Sequence, residues 1–192
     1  MSKLVSNLLQ KYPNEVQAIL AKYPAESKRS AVMPLLYLAQ QDTVQETGRL
    51  QVTEAAMQDI AGLLDLDRTE VASIVGFYTL YYERGTSRYR IQVCTDLPCA
   101  LRGADQFLEE LCKRLNIKPG QTTADGLITV EPVMCLAACD KAPMFQLQSG
   151  NGLSYYENQT VDSAMALVDT LRSARSGMTD ALNRGKVDGQ RR

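Results

Sequence analysis

Two cysteine pairs, each set just after a strand-like run, constrain this chain more than any other feature. The first lies in Y-R-I-Q-V-C-T-D-L-P-C, where Tyr89–Val93 reads as a short strand leading straight into a loop that carries Cys94 and Cys99. The second lies in C-L-A-A-C-D-K-A-P-M, where Cys135 and Cys139 follow another strand-like run. The spacings are C-x4-C and C-x3-C, and a helix and a strand separate the pairs. Thiolate sulfur is a soft donor that suits zinc or iron–sulfur clusters. Four thiolates complete either a tetrahedral zinc site or a [2Fe–2S] cluster. The rest of the chain reads as what positions these loops.

The other residue types narrow the chemistry. The chain has no histidine, which excludes Cys–His nucleophiles and mixed Cys/His metal sites, Rieske-type clusters included. Carboxylates are then the only charged ligands besides thiolates. A formal net charge of −1 gives nucleic acid or an anionic membrane no attraction. No apolar run approaches the length of a membrane span. The start, M-S-K-L-V-S-N-L-L-Q, lacks the apolar core and cleavage site of a signal peptide. The expectation is a cytosolic protein without membrane insertion, where paired cysteines are metal ligands or redox groups rather than structural disulfides. A dithiol redox centre is disfavoured, because no C-x-x-C occurs. No Walker loop and no G-x-G-x-x-G is present, so no nucleotide site is expected on this chain.

Residues 1–86 read as helical throughout. Pro13 opens a helix with Val16, Ile19, Leu20 and Tyr23 on one face, and Pro24 stops it. Ser30 is read as the cap of the next helix, with Val32, Leu35, Leu36 and Ala39 inward and Gly48 after it. Thr53 caps a helix whose inner face is Met57, Ile60, Ala61 and Leu64. Asp67 and Glu70 form a capping-box pattern. The helix they open is expected to bury Val71, Ile74, Val75, Tyr78 and Tyr82 and to end at Gly85. Near Arg88 the period turns strand-like. After Tyr89–Val93 comes one helix from Pro98 to Leu115, with Phe107, Leu108, Leu111 and Cys112 on its apolar stripe. Asp125-Gly126 is a turn, Leu127–Val133 an interior strand, and Asn151-Gly152 a hairpin turn between two further strands. A last helix starts near Thr160, and the pattern fades from Ser173 into a polar tail read as mobile and solvated. The order β-α-β-β-β-α suggests a small sheet with helices packed on it.

Around the pairs, Cys99 falls at a helix start, where unpaired amides favour a thiolate. Ala100, Gly103, Ala137 and Ala138 are small and let backbone amides approach a cluster. Leu97 and Pro98 are expected to shield it. Asp96 and Asp140 read as loop or cap residues. Cys112 reads as a core residue, and Tyr78, Tyr81 and Tyr82 as packing. Spacing alone leaves zinc and iron–sulfur both open.

The motifs resemble a known family. S-A-V-M-P-L-L-Y-L-A-Q-Q, G-F-Y-T-L-Y, I-Q-V-C-T-D-L-P-C-A-L-R-G-A, T-T-A-D-G-L and C-L-A-A-C-D-K-A-P look like the small [2Fe–2S] subunit of bacterial NADH:quinone oxidoreductase, respiratory complex I. The resemblance covers about residues 12–172. It implies an α+β protein: a helical docking domain over 1–86 and a thioredoxin-like α/β domain with a small mixed sheet over 87–172, with 173–192 outside the likeness. It implies one [2Fe–2S] cluster on Cys94, Cys99, Cys135 and Cys139, leaving zinc a minor alternative. The implied function is a non-catalytic electron-transfer subunit of an NADH dehydrogenase module. NADH and FMN would sit on a partner flavoprotein, and a large iron–sulfur subunit would be a second neighbour. The complex would lie on the cytoplasmic side of the inner membrane. The equivalent diaphorase subunit of an NAD-linked hydrogenase or formate dehydrogenase is an alternative, as is a zinc-stabilised assembly module. A stand-alone ferredoxin is disfavoured by the long helical segment. Two positions depart from the family's pattern: Ala137 stands where Gly is common, and Arg49 where Trp is.

Overall fold

The structure, a computed structural model, describes residues 7–85 and 87–176. The chain divides into two compact units, the second beginning at Ser87.

The first unit is helical, and local signals account for most of its boundaries. Helix α1 (Asn7–Lys11) is held by its N-terminus: the Asp59 carboxylate accepts from the amides of Asn7 at 2.9 Å and Leu8 at 2.8 Å. That satisfies two donors which a helix start leaves unpaired. Helix α2 (Pro13–Leu20) has Pro13 in its first turn, where a missing amide costs nothing. The segment after Pro24 forms a 3₁₀ helix (Ala25–Ala31) that runs directly into α3 (Val32–Thr47). Ser30 therefore does not cap α3; no side chain does, because the preceding turn supplies the bonding. Gly48 ends α3 with φ of 72°, in the left-handed region that glycine tolerates.

Thr53 caps α4 (Glu54–Leu64) by accepting from the Ala56 amide at 3.2 Å, and the Asp67–Glu70 capping box opens α5 (Arg68–Phe77). Helix α5 ends eight residues before Gly85. Beyond it Tyr78 is exposed, and Tyr81 is the buried tyrosine, donating to the Met33 carbonyl at 3.0 Å. The role of Gly85 is close approach rather than termination. The chain there lies back along 49–52, with Val52 N–H donating to Tyr82 at 2.7 Å. A Cβ on Gly85 would stand 2.9 Å from Gln51 Oε1 and 3.3 Å from Arg49 Cβ.

The second unit is a mixed four-stranded sheet with helices on one face. Strand β1 (Tyr89–Cys94) is followed by helix α6 (Leu97–Ala100), helix α7 (Ala104–Arg114), β2 (Ile128–Val133), β3 (Phe145–Ser149), β4 (Gly152–Tyr156) and α8 (Val161–Ser176). The strand order is β2-β1-β3-β4; β1 is parallel to β2 and antiparallel to β3. Tyr89, Ile91 and Val93 alternate onto the face covered by Leu108 and Leu111 of α7 and Val168 and Leu171 of α8. Phe145 stacks at 5.0 Å on Tyr156 and 6.2 Å on Phe107.

Three sequence expectations change here. The helix expected over 98–115 is two helices, because Gly103 takes φ of +90° and becomes the residue that opens α7. The strand read as interior, β2, is an edge strand; only Ile128, Thr129 and Val130 are fully buried, and the interior strands are β1 and β3. Helix α8 continues to Ser176, past the expected fade at Ser173, and the tail from 177 lies outside the described residues.

The turn before β2 is tied to α8 by Asp125. Burial alone would raise its carboxyl, but the Thr123 hydroxyl, the Leu127 amide and the Arg172 guanidinium outweigh it and hold the carboxyl below the usual range. The tie is therefore complete above the ordinary carboxylate pKa of about 4 and fades as pH falls through the lowered one.

Candidate metal centre

Because β1 and β2 are parallel and in register, with Cys94 opposite Val133, both strands finish at the same end of the sheet. The two cysteine loops leave from that end. In the first, Thr95 N–H donates to Val133 at 3.1 Å and extends the pairing by one residue. Asp96 then accepts from the Leu97 amide at 3.0 Å and starts α6, which places Cys99 in its single turn. In the second loop, Met134 and Cys135 leave β2, Ala137 reverses the backbone with φ of 57°, and Cys139–Lys141 form a short 3₁₀ turn. The chain returns through Ala142 and a cis peptide to Pro143. Cys94 N–H donates to the Met144 carbonyl at 3.3 Å, so the end of the second loop is pinned against the start of the first.

Cys94 and Cys99 are fully buried, Cys139 is half-buried and Cys135 is exposed. The Cys99 thiol is pushed up to about 12 by burial, with the Cys94 and Cys139 thiols adding to the shift through hydrogen bonds. The fold thus brings Cys94, Cys99 and Cys139 together. Cys135 stands at the rim, its Sγ accepting the Ala137 amide at 3.3 Å. Among the described residues, no group of three or more Cys, Asp and Glu side chains is gathered closely enough for a metal ion. Cys112 lies apart in the core of α7, raised to about 11 by burial.

The donor set nevertheless fits a [2Fe–2S] group. The buried Cys99 thiol, raised by burial, stays neutral on its own, and coordination to a cation is what ionises it. Two loops supply two thiols each, one sulfur already has an amide donor, and Ala104, Ala142 and Met144 form an apolar wall beside Cys94 and Cys99. The expected shield does not form as read: Leu97 is 69% exposed, and Ala142 and Met144 close the inner side instead. Asp140 is exposed and lies 3.8 Å from Lys141, as a loop residue. Sequence reasoning missed Arg102, whose Nε donates to the Ala142 carbonyl at 3.3 Å. The only signal was a cation three residues beyond a ligand position.

Ala137 explains why glycine suits its position. An L-residue held in the left-handed region costs roughly 1 kcal/mol. Ala137→Gly is expected to relieve that cost while keeping the amide that donates to Cys135. The check is the rate of iron release to a chelator, which should slow; an unchanged or faster rate would mean that the loop carries no strain there.

Residues 16–172 match the family described as thioredoxin-like [2Fe-2S] ferredoxin. An NADH-quinone oxidoreductase subunit of Mycobacterium tuberculosis is 35% identical over 167 residues, which is 87% of this chain and 62% of that protein. The chain thus spans about three fifths of the length of its mycobacterial relatives. The protein of the same name from Rickettsia conorii is 36% identical over 160 residues, 83% of this chain and 90% of that one. In Rickettsia prowazekii the identity is 39% over 145 residues, 76% of this chain and 77% of that one. Among solved structures, an NAD+-reducing [NiFe]-hydrogenase in the air-oxidised state superposes with a TM-score of 0.56 at 19% identity. It covers 74% of this chain and 23% of its own, a likeness of fold.

Proposed function

Since the chain belongs to the thioredoxin-like [2Fe-2S] ferredoxin family, we propose that it is the small electron-carrying subunit of an NADH:quinone oxidoreductase, with one cluster held by Cys94, Cys99, Cys135 and Cys139. The observation that carries this reading is the pair of cysteine loops leaving the same end of the sheet, with Cys139 packed against the buried Cys94 and Cys99. The relatives named as NADH-quinone oxidoreductase subunits, at 35–39% identity, support the choice of complex. When bound, a [2Fe–2S] cluster stores and releases one electron at a time.

The chain's own residues then do three things. The four thiolates hold the irons. The Ala137 amide donates to the Cys135 sulfur, and the Ala142–Met144 wall keeps water from the buried pair. The electron is exchanged with FMN on a partner flavoprotein that binds NADH, so this chain has no active site of its own. The helical unit grips that partner; Phe77 and Tyr78 stand exposed side by side on it, ring centroids 5.1 Å apart. A large iron–sulfur subunit is a second neighbour. Among the described residues no helix is long and apolar enough to cross a membrane, and we place this chain at the cytoplasmic surface of the inner membrane through its partners.

Anaerobic EPR before and after dithionite, with iron and zinc counted on the same sample, tests this. A silent oxidised protein that gains a rhombic S = 1/2 signal on reduction, with roughly two irons per chain, is the expected result. About one zinc, no colour and no signal would instead support a four-thiolate structural site and remove the electron-transfer role.

A further inference from the structure

Arg102 joins the two cysteine loops. Its backbone N–H donates to the Cys99 carbonyl at 3.0 Å. Its guanidinium Nε donates to the Ala142 carbonyl at 3.3 Å, and the Ala142 amide in turn donates to the Cys139 carbonyl at 3.4 Å. One residue thus reaches both loops, and Ala142 packs with Cys94 and Cys99 in the buried wall. The ion pairs of this unit engage Arg90, Lys113, Arg114, Lys141 and Arg172. Among the described residues, Arg102 joins none of them. A neutral donor would satisfy one carbonyl equally well, so the guanidinium adds a positive charge, outside any ion pair among the described residues, to the two loops that carry the four thiols.

We infer that Arg102 is a positioning residue whose charge sets the reduction potential of the centre as well as tying its two loops. The inference rests on the four-cysteine ligation proposed above. A fixed cation beside four thiolates favours the state with one electron more, since no proton enters to cancel the added charge. Arg102 is exposed at its outer side, so solvent and salt moderate the effect. A partly screened charge of this kind is worth about threefold to tenfold in the reduction equilibrium. That ratio corresponds to about 30–60 mV for one electron.

The test is EPR-monitored redox titration of the full chain carrying R102K, R102Q or R102A, with iron counted in each. R102K should titrate with the wild type. R102Q and R102A should both titrate lower by threefold to tenfold, with iron content unchanged and a gap that narrows at high salt. Four equal potentials would overturn the inference, and so would R102K falling with R102Q. Loss of iron from both uncharged variants would reduce Arg102 to a structural clamp and overturn its role in the potential. A wild-type protein without two irons would sink the ligation itself, which is a separate result.

Discussion

Cys94→Ala is expected to abolish the visible absorbance and the reduced EPR signal, while Cys112→Ala keeps both. Cys94 ends β1, is fully buried and pairs through its amide with Met144. Its sulfur lies beside that of Cys99, so alanine there removes a ligand but little volume. The fold keeps its other supports: the Phe107–Phe145–Tyr156 stack and the buried residues of α7 and α8 from Phe107 onward belong to a separate core cluster. Circular dichroism should therefore stay close to that of the wild type when iron is lost. Cys112 is equally hidden, yet it sits in the apolar core of α7 and would cost only about 1 kcal/mol of packing. A full cluster in Cys94→Ala, or loss of the cluster in Cys112→Ala, would show the ligand assignment to be wrong.

The second large effect lies on the sheet face opposite the core. Arg90 and Gln92 alternate onto that face and precede Cys94 on the same side of β1. The Arg90 guanidinium pairs with the Glu131 carboxylate, Gln92 donates to Glu131 at 2.8 Å, and Gln146 donates to Gln92 at 2.6 Å. Arg90 is only 3% exposed, and burial pulls it down to about 10 even though Glu131 acts in the opposite sense. Removing Glu131 takes the paired carboxylate from that charge and one acceptor from the Gln92 amide. Breaking a buried pair in this way costs about 3–5 kcal/mol. The half-buried position of Glu131 puts Glu131→Ala near the lower figure. Hydrogen exchange at the Ile91 and Val93 amides should report a loss of about 3 kcal/mol. Glu131→Gln should recover part of it by keeping one acceptor for Gln92. A loss under about 1 kcal/mol would mean that the pair behaves like an ordinary surface ion pair.

Much of this was legible from the residues. The Thr53 and Asp67–Glu70 caps formed as read, since each depends on groups three residues apart. The inward faces of α4, α7 and α8 followed helical spacing, and Asn151-Gly152 turned the β3–β4 hairpin. Both cysteine loops lie at strand ends, as their strand-like leaders implied. The errors share one cause. Ser30, Pro98 and Gly85 carry local preferences that the preceding 3₁₀ turn, the left-handed Gly103 and the close approach of 49–52 override.

The sequence by itself determined the elements and the chemistry on offer. Caps, periodicity and turn residues act over a few positions, and a chain with four loop thiols and no histidine has few metals to choose from. The tertiary structure alone decided that β2 lies at the sheet edge, that Tyr81 rather than Tyr78 is buried, that a polar network runs from Glu131 to Gln146, and that Arg102 reaches Ala142. Those contacts join residues 39 to 54 positions apart, and Tyr81 reaches Met33 across 48. Their energies depend on which segments pair and which face is covered. No local pattern in the chain encodes that choice.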